Sequence, residues 1–184
     1  MHEENRYVFG FEESYGYLAG TYVRDKDAVV ASMLICEMAA YYRKQGKTLA
    51  NVIDELYEEY GYYQNTTLNF GFEGAAGLEK MNHIMTGLRY QAPAAIAGFA
   101  VVKTDDYLQS VSRDCKTGEE TKITLPKSNV IAYSLEGGHS VIVRPSGTEP
   151  KIKLYITAVG SDKQDAHKLT DKLVKDSEKI MGVS

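Results

Sequence analysis

Apolar residues recur along this chain with two different periods, and the change from one to the other predicts the order of the elements. From Asp27 onward, Val29, Val30, Met33, Leu34, Cys36, Met38 and Ala40 fill most faces of a helix at 27–45 that Gly46 stops. Such a helix calls for burial nearly all round. Thr48 is a good N-cap for a second helix at 48–60, where Leu49, Val52, Ile53, Leu56, Tyr57 and Tyr60 follow the helical period. Its other face, Asp54, Glu55, Glu58 and Glu59, belongs in water. Ahead of both helices, Tyr7-Val8-Phe9-Gly10 reads as one short strand entering a loop rich in Gly and Glu. The first 26 residues have no apolar period of their own, so the sequence reads as entering mid-domain.

Past Gly61 the pattern changes. Residues 62–70 favour a strand, and Gly71 and Gly74 precede a helix with Leu78, Met81, Ile84, Met85 and Leu88 on one stripe, closed by Pro93. A strand follows at about 96–104, and the polar residues 105–128 make a surface excursion with room for short strands. The runs 130–135 and 141–143 flank Gly137-Gly138 as a hairpin would. Ile152, Leu154, Ile156 and Ala158 then alternate with Lys151, Lys153, Tyr155 and Thr157, which gives a strand one buried face. Ser161 with Gln164 suits a capping box for a last helix, whose Ala166, Leu169, Leu173 and Ile180 share a face. We therefore expect two domains, 1–61 and 62–184. The fold class is α+β: a helical remnant of an α/β domain, then a mostly antiparallel sheet of four to five strands with two helices on one face.

Composition narrows the function. With 43% hydrophobic and 25% charged residues in 184, the chain is globular and too short for two large domains. Its net charge of -4 supplies no chain-wide basic field, which argues against nucleic acid. The apolar run 28–40 is broken by Ser32 and Glu37 and falls short of the about 20 residues that span a bilayer. No signal peptide opens the sequence, and Cys36 and Cys115 have no metal spacing, so a reduced, cytoplasmic protein is expected.

Two loops carry candidate chemistry. In Arg144-Pro145-Ser146-Gly147-Thr148-Glu149-Pro150, the Arg144 guanidinium offers paired donors to phosphate oxygens. Ser146 and Thr148 add hydroxyls, Gly147 permits a tight turn that turns backbone N–H groups toward an anion, and the prolines stiffen the loop. The bland reading is a surface turn. In Gly10-Phe11-Glu12-Glu13-Ser14-Tyr15-Gly16, carboxylates and a hydroxyl sit between hinges, suited either to accepting bonds from sugar hydroxyls or to simple solvation.

Taken together, these loops resemble those of the alpha-D-phosphohexomutases, the family of phosphoglucomutases and phosphomannomutases. Its members have four domains around a cleft, with a Gly-Glu-x-Ser sugar loop in the third and an Arg-x-Ser-Gly-Thr-Glu-Pro phosphate loop in the fourth. The resemblance covers nearly the whole chain. It implies sugar-hydroxyl recognition by Glu12 and Ser14, and phosphate binding by Arg144, Ser146, Gly147 and Thr148. The stretch 9–17 is most similar to the branch that also holds phosphopentomutases, although Phe11 departs from the Gly-Gly-Glu form of other branches. The family's reaction implies a phosphoserine, a hexose 1,6-bisphosphate intermediate, and Mg2+. Neither a Thr-Ala-Ser-His-Asn type serine loop nor an Asp-x-Asp-x-Asp-Arg type magnesium loop occurs in these residues. Asp25-Lys26-Asp27 reads as a helix cap and Asp105-Asp106 as a loop. The expectation is a recognition half with no catalytic or metal residue of its own, partnered by a sugar phosphate and by the remaining domains. A free-standing phosphosugar-binding module and an interaction domain with an accidental turn are the alternatives. The four histidines share no metal spacing; His139, next to the Gly-Gly turn, has the strongest claim to a role. The 14 tyrosines are expected at core edges and interdomain contacts. Cys36 lies among apolar residues, and Cys115 between Arg113 and Lys116 has no evident base.

Overall fold

The structure, a computed structural model, describes residues 7–12, 16–147 and 149–183. The chain divides into two compact units, Met1–Glu59 and Tyr60–Ser184.

In the first unit, β1 (Phe9–Glu12) and β2 (Gly16–Ala19) form an antiparallel hairpin that sets Glu12 opposite Gly16. The Asp27 carboxylate then caps α1 (Ala28–Lys44), accepting from the amides of Val29 at 2.8 Å and Val30 at 3.1 Å. At the start of α2 (Leu49–Tyr60), the Thr48 hydroxyl accepts from the Asn51 amide while Asn51 Oδ1 accepts from the Thr48 amide. Although the sequence calls for burial of α1 nearly all round, none of its residues is buried, and Val29 is 80% exposed. A two-stranded hairpin and one more helix do not offer enough apolar surface to cover it.

The second unit begins with β3 (Tyr62–Gly71) and α3 (Gly74–Tyr90), then β4 (Ala95–Ile96), β5 (Phe99–Asp106), β6 (Val111–Asp114) and β7 (Glu120–Lys122). It closes with β8 (Ile131–Leu135), β9 (Ser140–Pro145), β10 (Lys151–Gly160) and α4 (Lys163–Met181). The α+β class holds, with an antiparallel sheet larger than the four to five strands expected: eight strands, in the order β3-β10-β9-β8-β5-β6-β7, with β4 on β5. Two causes account for the surplus. The polar excursion turns back at Asp114, whose carboxylate accepts from the Lys116 and Thr117 amides, and so adds β6 and β7. The strand expected at 96–104 is split by Ala97 and Gly98, both at positive φ, where the Ala97 amide donates to Asp176 on α4. Asp105 and Asp106, expected in a loop, therefore lie in β5.

The core lies between one sheet face and the two helices. Ile131, Tyr133, Val141, Val143, Ile152, Leu154 and Ile156 project from the sheet onto Met81, Ile84, Met85 and Leu88 of α3 and Leu173 and Met181 of α4. Tyr133 keeps its buried hydroxyl satisfied by donating to Leu88 O at 2.8 Å, and burial pushes its pKa upward. The α4 stripe differs from the expected one: Ala166, Thr170, Leu173, Ser177 and Met181 are buried, whereas Ile180 is exposed. Leu78 is likewise exposed, and Gly77 is buried on α3 instead. The α4 cap is Asp162, accepting from the Asp165 amide, and Ser161 donates to Asp165 rather than pairing with Gln164. At the end of β10 a Cβ on Gly160 would meet the Ala166 backbone at 2.3 Å. Gly160→Ala is thus expected to destabilise the second unit by about 1–3 kcal/mol, read as a lower urea midpoint at unchanged slope; an unchanged midpoint would show that α4 can shift freely.

Candidate functional site

Pairing between β9 and β10 sets Arg144 opposite Lys153 and Pro145 opposite Ile152. Because Val143, Ile152 and Leu154 are in the core, the two-residue period puts Arg144 and Lys153 together on the other face of the sheet. Like charges directly opposite oppose folding unless an anion lies between them. No described residue gives the exposed Arg144 guanidinium a hydrogen bond or ion pair, and Lys153 Nζ stands 5.9 Å from the centre of the Tyr155 ring. The sequence did not single out Lys153, because its relation to Arg144 exists only across strands.

The loop beyond Arg144 is held by its own backbone. The Ser146 amide donates to Lys151 O at 2.8 Å, the Lys151 amide to Glu149 O at 2.8 Å, and the Glu149 amide to the Ser146 hydroxyl at 3.3 Å. The Phe72 amide ties the loop to the end of β3 through Pro150 O at 2.7 Å. Lys151 pairs with Glu149 and holds its carboxyl below the usual range. Gly147 has a φ outside the left-handed region, and a Cβ there would meet nothing within 4 Å among the described residues. Thr148 lies outside the described residues.

In the first unit, Glu12 closes β1 and pairs with Lys26 at 3.5 Å, while Lys26 also meets Asp25 at 3.0 Å. Gly16 makes this possible: the Lys26 stem lies across it, 1.9 Å from where a Cβ would be. Hydrogen bonding and charge from Asp25, then the charge of Glu12, raise the Lys26 pKa. Asp25 is lowered chiefly by accepting from the Lys26 amide. Gly10, Phe11, Glu12, Gly16, Arg24 and Lys26 border an open recess of about 200 Å3. The sequence showed Lys26 only as part of a helix cap; Asp27 does cap, and it also accepts from Tyr22, whose pKa is pushed up to about 12. Glu13, Ser14 and Tyr15 lie outside the described residues.

The other candidates have local explanations. His139 is buried and accepts a backbone hydrogen bond from Val159, while His83 and His167 are exposed. Cys36, expected among apolar neighbours, is exposed on α1, and exposed Cys115 stands 3.5 Å from the Thr104 hydroxyl. Among the described residues no three His, Cys, Asp or Glu side chains converge as a metal site.

Comparison with known proteins identifies the class. The alpha/beta/alpha domain III of phosphoglucomutase/phosphomannomutase matches residues 1–60, and the C-terminal domain of the same family matches residues 89–179. The phosphoglucomutase of Staphylococcus saprophyticus is 41% identical over 155 residues, which cover 84% of this chain and 28% of that protein. That of Staphylococcus aureus is 40% identical over 157 residues, 85% of this chain and 28% of its own length. Parafusin, an exocytosis-sensitive phosphoprotein and phosphoglucomutase from Paramecium solved in an open form, superposes over 94% of this chain and 29% of its own, with a TM-score of 0.61. At 17% identity that likeness bears on the fold alone. The chain belongs to the phosphoglucomutase/phosphomannomutase family, and it spans 28% of the length of these staphylococcal relatives.

Proposed function

We propose that this chain is the recognition half of a phosphohexomutase that interconverts hexose 1-phosphate and hexose 6-phosphate through a phosphoserine and a hexose 1,6-bisphosphate. In this reading residues 1–61 belong to the sugar-recognition third domain and 62–184 form the phosphate-binding fourth. Arg144, Ser146, Gly147 and Thr148 hold the phosphate that is not being transferred. Glu12 and Ser14 accept from sugar hydroxyls and so fix which end of the sugar faces the nucleophile. The reacting serine and the Mg2+ ligands belong to other domains of a longer, cytoplasmic protein.

The observation that carries this reading is the pair Arg144 and Lys153, side by side on one sheet face at the mouth of the loop. An anion there would offset the repulsion and take the guanidinium fork. Lys153 joins the phosphate site on this geometry. Lys26 pairs with Glu12 and holds its carboxylate in place until a sugar arrives. The exposed apolar side chains of α1 suit a helix that further domains cover.

Phosphoryl transfer depends on positioning and on a nucleophile, and this chain supplies the first alone. The purified chain is expected to show no turnover of glucose 1-phosphate with magnesium and glucose 1,6-bisphosphate present. Turnover above a vector control would place the nucleophile within these residues and overturn the division of labour.

A further inference from the structure

We infer that His139 is a protonation-dependent latch that fastens the far end of the β9–β10 hairpin. The ladder between these strands ends at Ser140 and Thr157. Just beyond it, with His139 one residue past Ser140 and Val159 two past Thr157, the Val159 amide donates to His139 Nδ1 at 3.0 Å, so the imidazole supplies an acceptor that the neighbouring backbone no longer offers. The residue is 4% exposed, and its ring lies 4.3 Å from the Phe99 ring on β5 at an interplanar angle of 60°. The turn before it is equally fixed: Gly137 and Gly138 are at φ of 80° and 82°, and the Leu135 amide donates to His139 O at 2.9 Å. One side chain thus joins β10, β5 and the β8–β9 turn.

An acceptor at Nδ1 requires the neutral ring with its proton on Nε2. Adding a second proton turns Nδ1 into a donor facing another donor, and buries a charge against Phe99 and Val159, which carry none. Asp165 on α4 is the charged group that favours protonation, and it is itself engaged by the Ser161 amide and hydroxyl and influenced by Lys168 and Lys172. On the latch's own turn, Glu136 is exposed. Desolvation outweighs Asp165 and holds the His139 pKa below its ordinary value of 6.5. Because the opened state takes up the proton first, the latch is intact above that ordinary value and weakens as the pH falls through it. The phosphate loop, at the opposite end of the same hairpin, is not part of this device.

The test is carried out on the 184-residue chain by NMR. The His139 ring is expected as the Nε2–H tautomer at pH 7.5, with a titration midpoint below that of histidine in an unstructured peptide in the same buffer. Protection of the Val159 amide, corrected for the intrinsic exchange rate, should fall on acidification by up to about tenfold per pH unit, the most that one linked proton allows. In His139→Asn, which keeps an acceptor near the Nδ1 position and cannot titrate, that dependence should vanish. An Nδ1–H tautomer, a midpoint at or above that of the peptide, or the same pH dependence in His139→Asn would each overturn the latch. The tautomer and the midpoint are read on the unmodified chain, so the outcome does not depend on the variant folding.

Discussion

Arg144→Lys in the full-length enzyme is expected to lower kcat/KM by tenfold or more for both the 1-phosphate and the 6-phosphate. Lysine keeps the charge but loses the planar fork that meets two phosphate oxygens at once. A charge-assisted hydrogen bond contributes about 1.5–3 kcal/mol, and about 1.4 kcal/mol is already tenfold in rate. The sheet can accept the change, because Arg144 is exposed and has no hydrogen-bond or ion-pair partner among the described residues. A folding defect therefore does not mimic the effect. On the proposed reading this phosphate is the one not being transferred, so its anchor positions the reacting hydroxyl and the loss should appear in both directions. Phosphoserine should still form. The check is steady-state kinetics in each direction at fixed magnesium and bisphosphate; unchanged kcat/KM for both substrates would reduce residues 144–148 to an ordinary turn.

The largest stability effect is expected at Arg89. Its Nε donates to Asp106 Oδ2 at 2.8 Å and a terminal nitrogen donates to Asn129 Oδ1 at 2.9 Å, which joins the end of α3 to β5 and to the chain entering β8. The two charged side chains are only 8% and 12% exposed. Arg89→Leu fills much of the volume yet leaves the Asp106 carboxylate buried without its cation, a change that costs about 3–5 kcal/mol. The Leu108 and Gln109 amides still reach Asp106 Oδ1 at 3.0 and 3.2 Å, which favours the lower end of that range. Neutralising the orphan in the double variant Arg89→Leu, Asp106→Asn should recover part of the loss. Urea unfolding measures both variants. A cost below about 1 kcal/mol for the single change would mean that water reaches the pair, as at a surface ion pair.

The sequence revealed most where one rule acts alone. The hairpin around Gly137-Gly138 and the alternation of β10 were legible because strict period-two burial leaves few other readings. The α4 face was misread because Thr170 and Ser177 are polar by composition but small enough to lie buried beneath the sheet, and Thr170 bonds back to Ala166 O. Strands β6 and β7 were legible only as room for short strands in the excursion, since their polar residues at the end of the sheet show no apolar alternation. The two loops were legible as contiguous motifs, whereas Lys153 and Lys26 were not. Each gains its place from a neighbour distant along the chain, Arg144 across the ladder and Glu12 over the bare Gly16 backbone, and no linear spacing displays either approach. The apolar periphery of α1 was legible as a demand for burial, but that demand does not show which surface meets it.

The most direct measurement is a 1H–15N titration of the 184-residue chain with glucose 6-phosphate. The amides of Arg144, Ser146 and Gly147 should shift saturably together with that of Lys153, and Arg144→Ala should weaken the response by tenfold or more. Saturable binding that leaves these four amides unmoved, or no saturable response at all, would contradict the assignment of the phosphate to this loop.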